Sequence, residues 1–443
     1  MVDLSRLHTD YLAHVAALAA ATARAVERAG FGALVIHSGS PLKRSIFDDQ
    51  YWPLRVVPHF AHWAPLEVPD CALLVQPGKR PALLRNVARD YWDGSAPIED
   101  ARFLEAFDVV EIAEPERARE HFPAGARTAF VGEDLERATR WGFAAEAQNP
   151  PELVRALDAL RVKKSSYERA CLAEANRRAA LGHGRVREAF FDGDHSELDL
   201  HLLYLGATAQ DDPETPYKNI VALGDHAAVL HHVHYGRRAV GASSLLLDAG
   251  ATFRGYASDV TRTWVKGHGA GADAFSHLVA GLEKLQQTTC AAVRVGDRYE
   301  ALHDHSHRLL AGVLLEVGVL RGASDTELVE SGVTRLFLPH GLGHSLGLQC
   351  HDVGCALEKP RADNPFLRNT SVIEPDQCFT IEPGCYFIPE KLDQLRASPL
   401  SARVNWKLVG ELAKLGGVRI EDDVVVREAG QEIANLTRTV LPA

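Results

Sequence analysis

Four acidic residues stand inside apolar, strand-like runs of this 443-residue chain, and chemistry is expected there first. Asp248 closes the run Ser244-Leu245-Leu246-Leu247, and Asp259 follows in Tyr256-Ala257-Ser258-Asp259-Val260-Thr261-Arg262. Glu382 lies in Thr380-Ile381-Glu382-Pro383-Gly384, and Glu421 in Val418-Arg419-Ile420-Glu421-Asp422. A buried carboxylate neutralises itself unless it is paired or coordinates a metal. Any one of these acids reads as a strand-end residue in solvent or in an ion pair. Four together point to a shared cation. Gly250 and Gly255 suit turns, so the segments carrying Asp248 and Asp259 are expected to fold back and bring both carboxylates to one end.

Histidines sharpen this reading. His340, His344 and His351 fall within the segment Pro339–Asp352, and His231, His232 and His234 form a second group. The four-residue step from His340 to His344 mimics the helical zinc motif HExxH, but position 341 is Gly, and glycines at 341, 343 and 347 make a poor helix. An extended, Gly-punctuated segment fits better, with imidazoles pointing into a site that the backbone approaches closely. Cys350 neighbours His351, and alternation along an extended segment would turn the two to opposite faces. Cys350 is accordingly not expected to act as a nucleophile, and its alkylation is expected to leave activity largely intact unless the adduct blocks the pocket sterically.

The elements that must position these groups divide the chain. In the first third, apolar runs at 33–37, 72–75, 109–112 and 129–131 alternate with helical stretches, which suggests an α/β domain over 1–160. Asn149-Pro150-Pro151 interrupts the pattern, and Ser165 with Glu168 three residues on reads as a capping box opening a long helix. Beyond it, helices mix with strand-like runs at 219–223, 227–231, 243–248, 378–382 and 418–426. That pattern suggests an α+β domain over 161–443. The formal charge of −11 disfavours nucleic acid or an anionic membrane as partner. Seven scattered cysteines without a CxxC pair fit reduced thiols in the cytoplasm. No apolar stretch approaches the roughly 20 residues of a membrane span, and the start lacks the features of a signal peptide.

The ordered set Asp248, Asp259, His344 in HGLGH, Glu382 in TIEPG and Glu421 in RIEDD resembles the metal-ligand pattern of the pita-bread-fold metallopeptidases. The likeness extends over nearly the whole chain to the bacterial Xaa-Pro dipeptidases (prolidases). Ile36-His37-Ser38-Gly39, Asp90-Tyr91-Trp92, Pro216-Tyr217-Lys218-Asn219, His344-Ser345-Leu346-Gly347-Leu348-Gln349 and Phe366-Leu367-Arg368 carry it. Two departures are visible. Ser371 stands where a second arginine is expected, and Glu374-Pro375-Asp376 replaces a Gln-Pro-Gly-like turn.

This resemblance implies two divalent cations per subunit, with Asp248 chelating one, His344 and Glu382 the other, and Asp259 and Glu421 bridging. Four carboxylates and one imidazole favour Mn²⁺, with Co²⁺ or Mg²⁺ as substitutes. The implied reaction is hydrolysis of the imide bond of dipeptides ending in proline by a hydroxide held between the metals. Glu382 would shuttle the proton, His351 would stabilise the reacting carbonyl oxygen, and His231 and His340 would shape the proline side. Arg368 would fork onto the substrate carboxylate, with Tyr217 and Trp92 as further substrate contacts. Arg419 would orient the ligands without touching substrate. A homodimer is implied as well, with the N-terminal domain shaping the pocket and making dimer contacts. The alternatives are an aminopeptidase P-like enzyme on longer Xaa-Pro peptides, organophosphorus ester hydrolysis as a side reaction, and a non-catalytic module of the same fold.

Overall fold

Short apolar runs in the first third form one mixed sheet: β1 (Ala33–His37), β2 (Ala72–Val75), β3 (Ala82–Asn86), β4 (Asp108–Ile112) and β5 (Thr128–Val131). The computed structural model describes residues 3–88, 98, 100–125, 127–356 and 358–442, so Asp90, Tyr91 and Trp92 lie outside the described residues. The strand order is β4-β3-β2-β1-β5, with β1–β2 and β2–β3 antiparallel and β1–β5 and β3–β4 parallel. Ala33, Val35, Leu74, Leu84 and Phe130 pack with Trp141 in one core. Helix Leu4–Arg28 buries Tyr11, Val15, Leu18 and Val26. Strand β3 carries no sequence signal of its own, because only Leu83 and Leu84 of its five residues are buried and Arg85 and Asn86 end it.

The compact units are Met1–Ala170 and Cys171–Ala443, and the division falls inside helix Ser166–Asp192. That helix starts with the expected capping box: the Ser165 amide donates to Glu168 at 2.7 Å, and the Glu168 amide donates to Ser165 Oγ at 3.3 Å.

The second unit is built from small antiparallel sheets. One has the order β10-β7-β6, from β6 (Ile220–Leu223), β7 (Ser244–Asp248) and β10 (Thr261–Val265), with the hairpin β8 (Thr252–Phe253) and β9 (Tyr256–Ala257) between β7 and β10. Another has the order β11-β14-β15, from β11 (Cys378–Ile381), β14 (Asp422–Val425) and β15 (Ala434–Asn435), and a third pairs β12 (Gly384–Tyr386) with β13 (Gly417–Arg419). Helices Ala270–Ala291 and Tyr299–Glu316 bury Phe275, Leu278, Leu282, Leu310 and Leu314 in one core with Leu246 of β7 and Tyr386 of β12. Each such side chain contributes about 1.5–3 kcal/mol by leaving water.

Two strand expectations are corrected. The run 227–231 is not a strand: Gly224, at φ +60°, turns the chain into a 3₁₀ turn, Gly224–Ala228, and irregular backbone follows. The run 418–426 is two strands, not one, because the chain changes partner in the middle. Arg419 of β13 pairs with Gly384, whereas Asp422 of β14 pairs with Ile381. Glu382 and Glu421 therefore both occupy the gap where two adjacent strands leave one sheet for the next.

Candidate metal centre

That gap frees the two glutamates from the ladder. On the β11–β12 side, Pro383 has no N–H to continue the pairing, and the Glu382 amide donates instead to Leu342 O at 2.8 Å. On the other side, the Glu421 amide donates to Thr261 O at 3.1 Å, while Thr261 Oγ1 donates to Glu421 Oε2 at 2.6 Å. Opposite them, the β8–β9 hairpin returns the chain as expected, and Asp248 sits across from Thr261 with Asp259 two residues before it. The close return depends on Gly250, where a Cβ would lie 2.0 Å from Ser258 O and 2.8 Å from Pro216.

The segment 341–351 contains no helix and passes antiparallel to β11 through the Ser345–Phe379 bridge. At Gly343 a Cβ would strike Thr380 O at 2.2 Å and the Tyr299 hydroxyl at 2.4 Å, so glycine lets the backbone press against β11. The His344 amide then donates to Thr380 Oγ1 at 3.1 Å, and its Nε2 reaches Asp259 Oδ2 at 3.4 Å and Glu382 Oε1 at 3.6 Å. Donor atoms of Asp259, His344 and Glu421 all lie within 4.8 Å of one another, and all three residues are buried. Asp248 is clamped from two sides, accepting from Tyr217 at 2.7 Å and from Arg419 Nη2 at 2.6 Å.

Electrostatics show what this crowding lacks. Burial, then repulsion from Asp259, Glu382 and Asp248, pushes the Glu421 carboxyl well above the usual range. Burial with the Asp259 and Asp248 charges lifts Glu382 to about 7, despite His344 and Arg419 pulling the other way. Asp248 is raised by burial even against Arg419. Asp259 stays low, because bonds from His344 and Cys350 outweigh its burial. His344 rises to about 9 against burial, through its Asp259 bond and the Glu382 charge. Protons thus make up for missing positive charge. Four carboxylates and one imidazole facing one another are a donor set that divalent cations satisfy, and an oxygen-rich one.

The other expected residues are distributed around it. His340 is neutral, lowered to about 3 by burial and the Arg419 charge, and both its nitrogens are engaged: Nδ1 with Gly341 O at 2.7 Å and Nε2 with the Tyr386 hydroxyl at 2.8 Å. His351 keeps an exposed edge, lies 4.4 Å ring to ring from His344, and is lowered to about 4 by partial desolvation of the ring on its inner side and then by the His344 and Arg368 charges. His231 is exposed and close enough to act electrostatically on both His340 and His351. Arg368 is exposed, and its guanidinium has no carboxylate partner among the described residues. Arg419 is buried and joins Asp248, the Tyr386 hydroxyl at 2.9 Å and Thr261 Oγ1 at 3.3 Å.

Cys350 corrects the expectation that it and His351 turn to opposite faces. Its thiol donates to Asp259 Oδ2 at 3.0 Å, and its Sγ lies within 4.8 Å of donor atoms of both His344 and His351. Residues 347–351 are bends, so strand alternation does not apply to them. An alkyl adduct would abut Asp259, and alkylation is not expected to be tolerated. Burial and the Asp259 charge hold the thiol well above its usual range, which still argues against a nucleophile.

Sequence reasoning also missed Thr261, Tyr386 and Asp423. Asp423 accepts the Asp259 amide at 3.0 Å and Asn176 Nδ2 at 2.8 Å, fixing the Asp259 backbone from behind. The acids of Arg419-Ile420-Glu421-Asp422-Asp423 signalled one ligand but not which neighbour supports it. Of the two departures, Ser371 is buried on Asn369, and Asp376 adopts φ +67°, the left-handed conformation that a glycine would take more easily.

Comparison with known proteins bears on the family and the fold. Residues 170–428 match metallopeptidase family M24, and residues 9–159 match the Xaa-Pro dipeptidase N-terminal domain. A Xaa-Pro dipeptidase of Stenotrophomonas maltophilia (strain R551-3) is 40% identical over 453 residues, covering 100% of this chain and 98% of the relative. A Xaa-Pro dipeptidase of Colwellia psychrerythraea is 37% identical, covering 98% of each chain. Proline aminopeptidase P II from Yersinia pestis shares the fold, with a TM-score of 0.71 at 22% identity over 98% of this chain and 96% of that one. The α/β domain followed by a pita-bread domain, with this acid and histidine set, defines a metallopeptidase. The chain belongs to metallopeptidase family M24, and within it to the Xaa-Pro dipeptidases that it matches from end to end.

Proposed function

We propose that this chain is a metal-dependent Xaa-Pro dipeptidase that hydrolyses the imide bond of dipeptides ending in proline. The observation that carries the reading is the convergence of Asp248, Asp259, His344, Glu382 and Glu421, with protons held where positive charge is missing. Those five residues would hold two divalent cations, Mn²⁺ by preference and Co²⁺ or Mg²⁺ in substitution. Such a pair supplies Lewis acidity to the reacting carbonyl and makes water a nucleophile at neutral pH.

The chain's own groups do the rest. Glu382, as a carboxylate, would take the proton of the attacking water and return it to the proline nitrogen, whose imide has no N–H to begin with. His351, kept neutral, donates to the carbonyl oxygen as charge develops there. His231 and His340 wall the proline ring beside Tyr217, whose hydroxyl donates to Asp248. Arg419 and Thr261 orient Asp248 and Glu421. The working form is a cytoplasmic homodimer. Among the described residues no helix is long and apolar enough to cross a membrane.

Arg368 is assigned to the substrate's C-terminal carboxylate. Its open guanidinium would take a bidentate pair. The pocket then ends at proline, which separates this activity from that of an aminopeptidase acting on longer peptides. Because Arg368 is exposed, screening weakens the pair relative to a dry site. Ala-Pro-amide and Ala-Pro-Gly are expected to fall about tenfold in kcat/KM below Ala-Pro. Arg368→Ala should lose a similar factor on Ala-Pro and little on the amide, with Arg368→Lys between. Equal losses on both substrates, or faster cleavage of Ala-Pro-Gly, would favour the aminopeptidase reading.

A further inference from the structure

The loop that carries His231 has little backbone structure of its own. Residues 230–231 form a turn, and among the described residues 232–235 belong to no helix or strand. Leu230 and Val233 rest partly buried against the core, and Tyr235 bonds Asn219 O and stacks on His201 at 4.6 Å. The Leu198 amide donates to Gly236 O at 3.2 Å and Lys218 lies over the Tyr235 ring, but the densest set of bonds to the loop comes from one side chain, Glu197, the first residue of helix Glu197–Thr208.

Glu197 is 2% exposed, and its carboxylate accepts four bonds, two from each end of the loop. Oε1 takes the Leu223 amide at 3.0 Å and His226 Nδ1 at 2.6 Å. Oε2 takes His232 Nε2 at 2.9 Å and the Gly236 amide at 2.7 Å. At Gly236 a Cβ would stand 3.3 Å from Oε2, so the backbone is drawn close to the carboxylate. These donors hold Glu197 below the usual carboxylate range despite its burial. The three side chains also stand close enough to share a cation. The carboxylate's acceptor sites are already filled, however, so a hydrogen-bonded clip describes the cluster better.

His231 is adjacent to His232 and lies inside the span that Glu197 closes. We infer that Glu197 is a positioning residue: its carboxylate, through His226, His232 and two amides, clips both ends of the 223–236 loop and so sets His231 against the substrate. The inference rests on the proposed contact of His231 with substrate. Apart from the turn at 230–231, no helix or strand holds the loop tip among the described residues, so the clip decides where that imidazole points. A loosened clip should slow the chemical step more than it weakens ground-state binding, because a small misplacement near the reacting centre acts mainly on the transition state.

The test is a double-mutant cycle on the Mn²⁺-loaded enzyme with Ala-Pro. Glu197→Gln turns one acceptor into a donor facing donors, and kcat is expected to fall by about tenfold or more with KM changed less than about threefold. In a His231→Ala background the same change should cost less than about twofold, since the group being positioned is gone. His232→Ala should behave as Glu197→Gln does. His232→Gln places an amide N–H where Nε2 stood and should recover most of the activity. Metal content and melting temperature, read in parallel, report the fold. If Glu197→Gln lowers kcat by the same factor with and without His231, or if His232→Gln rescues nothing, Glu197 is structural only and the proposal falls. If His231→Ala alone leaves kcat unchanged, the substrate contact of His231 is what fails.

Discussion

Glu382→Gln is expected to abolish turnover on Ala-Pro, by about 10³-fold or more, while leaving a folded and, without metal, more stable protein. The loss of activity follows from removing a cation ligand and the proton carrier together. The stability follows from sign. The folded-state pKa of Glu382 is raised to about 7 from an ordinary 4.5, so its ionised form is disfavoured by folding. The folded state binds more protons than the unfolded state between those values, and stability falls as pH rises through that window. Glutamine resembles the protonated carboxyl and escapes the penalty. At pH 8, chelated Glu382→Gln should therefore melt above chelated wild type, and the difference should shrink as pH is lowered through 7 toward 4.5. Retention of more than about a tenth of wild-type turnover would contradict the role of Glu382, since a general acid–base group alone contributes about 10²–10⁴.

The second large effect concerns Arg419, the buried guanidinium that donates to Asp248. Arg419→Leu removes the partner of Asp248 and leaves a carboxylate buried beside Asp259 with Tyr217 as its remaining donor. Breaking a buried pair in this way costs about 3–5 kcal/mol. In a unit of this size that is a fall in melting temperature on the order of 10 °C for the metal-free protein. Mn²⁺ should return part of the loss, because a cation at the acids supplies charge that the arginine no longer does. Calorimetry with and without Mn²⁺ checks this, and an identical loss in both conditions would show that Arg419 and the cations do not share the same carboxylates.

These effects explain which parts of the site were legible in sequence. Asp248, Asp259, Glu382 and Glu421 stood out because each interrupts an apolar run, and a strand interior does not tolerate an unexplained acid. The turn after Asp248 could be read from Gly250, and the glycines around His344 excluded a helix. The support could not be read in the same way. Thr261 and Tyr386 are ordinary strand residues until the partner strands are known, and they meet Glu421 and His340 only through pairings far apart in sequence. Cys350 turned inward because a run of bends replaced the extended segment that alternation assumes. The run 227–231 looked like a strand by composition, yet Gly224 and the pull of Glu197 on His226 bend it away. In each case tertiary pairing overrode a local pattern.

The central claim is that this chain works through cations held by five converging side chains and reads a dipeptide ending in proline. The measurement that bears on it most directly is metal content per chain against activity on Ala-Pro, before and after exhaustive chelation and on titration with Mn²⁺ or Zn²⁺. Activity should vanish with the metal, return as Mn²⁺ rises to two equivalents, and return less with Zn²⁺, because the donor set is mostly oxygen. Full turnover on Ala-Pro in the metal-free chain would contradict the claim.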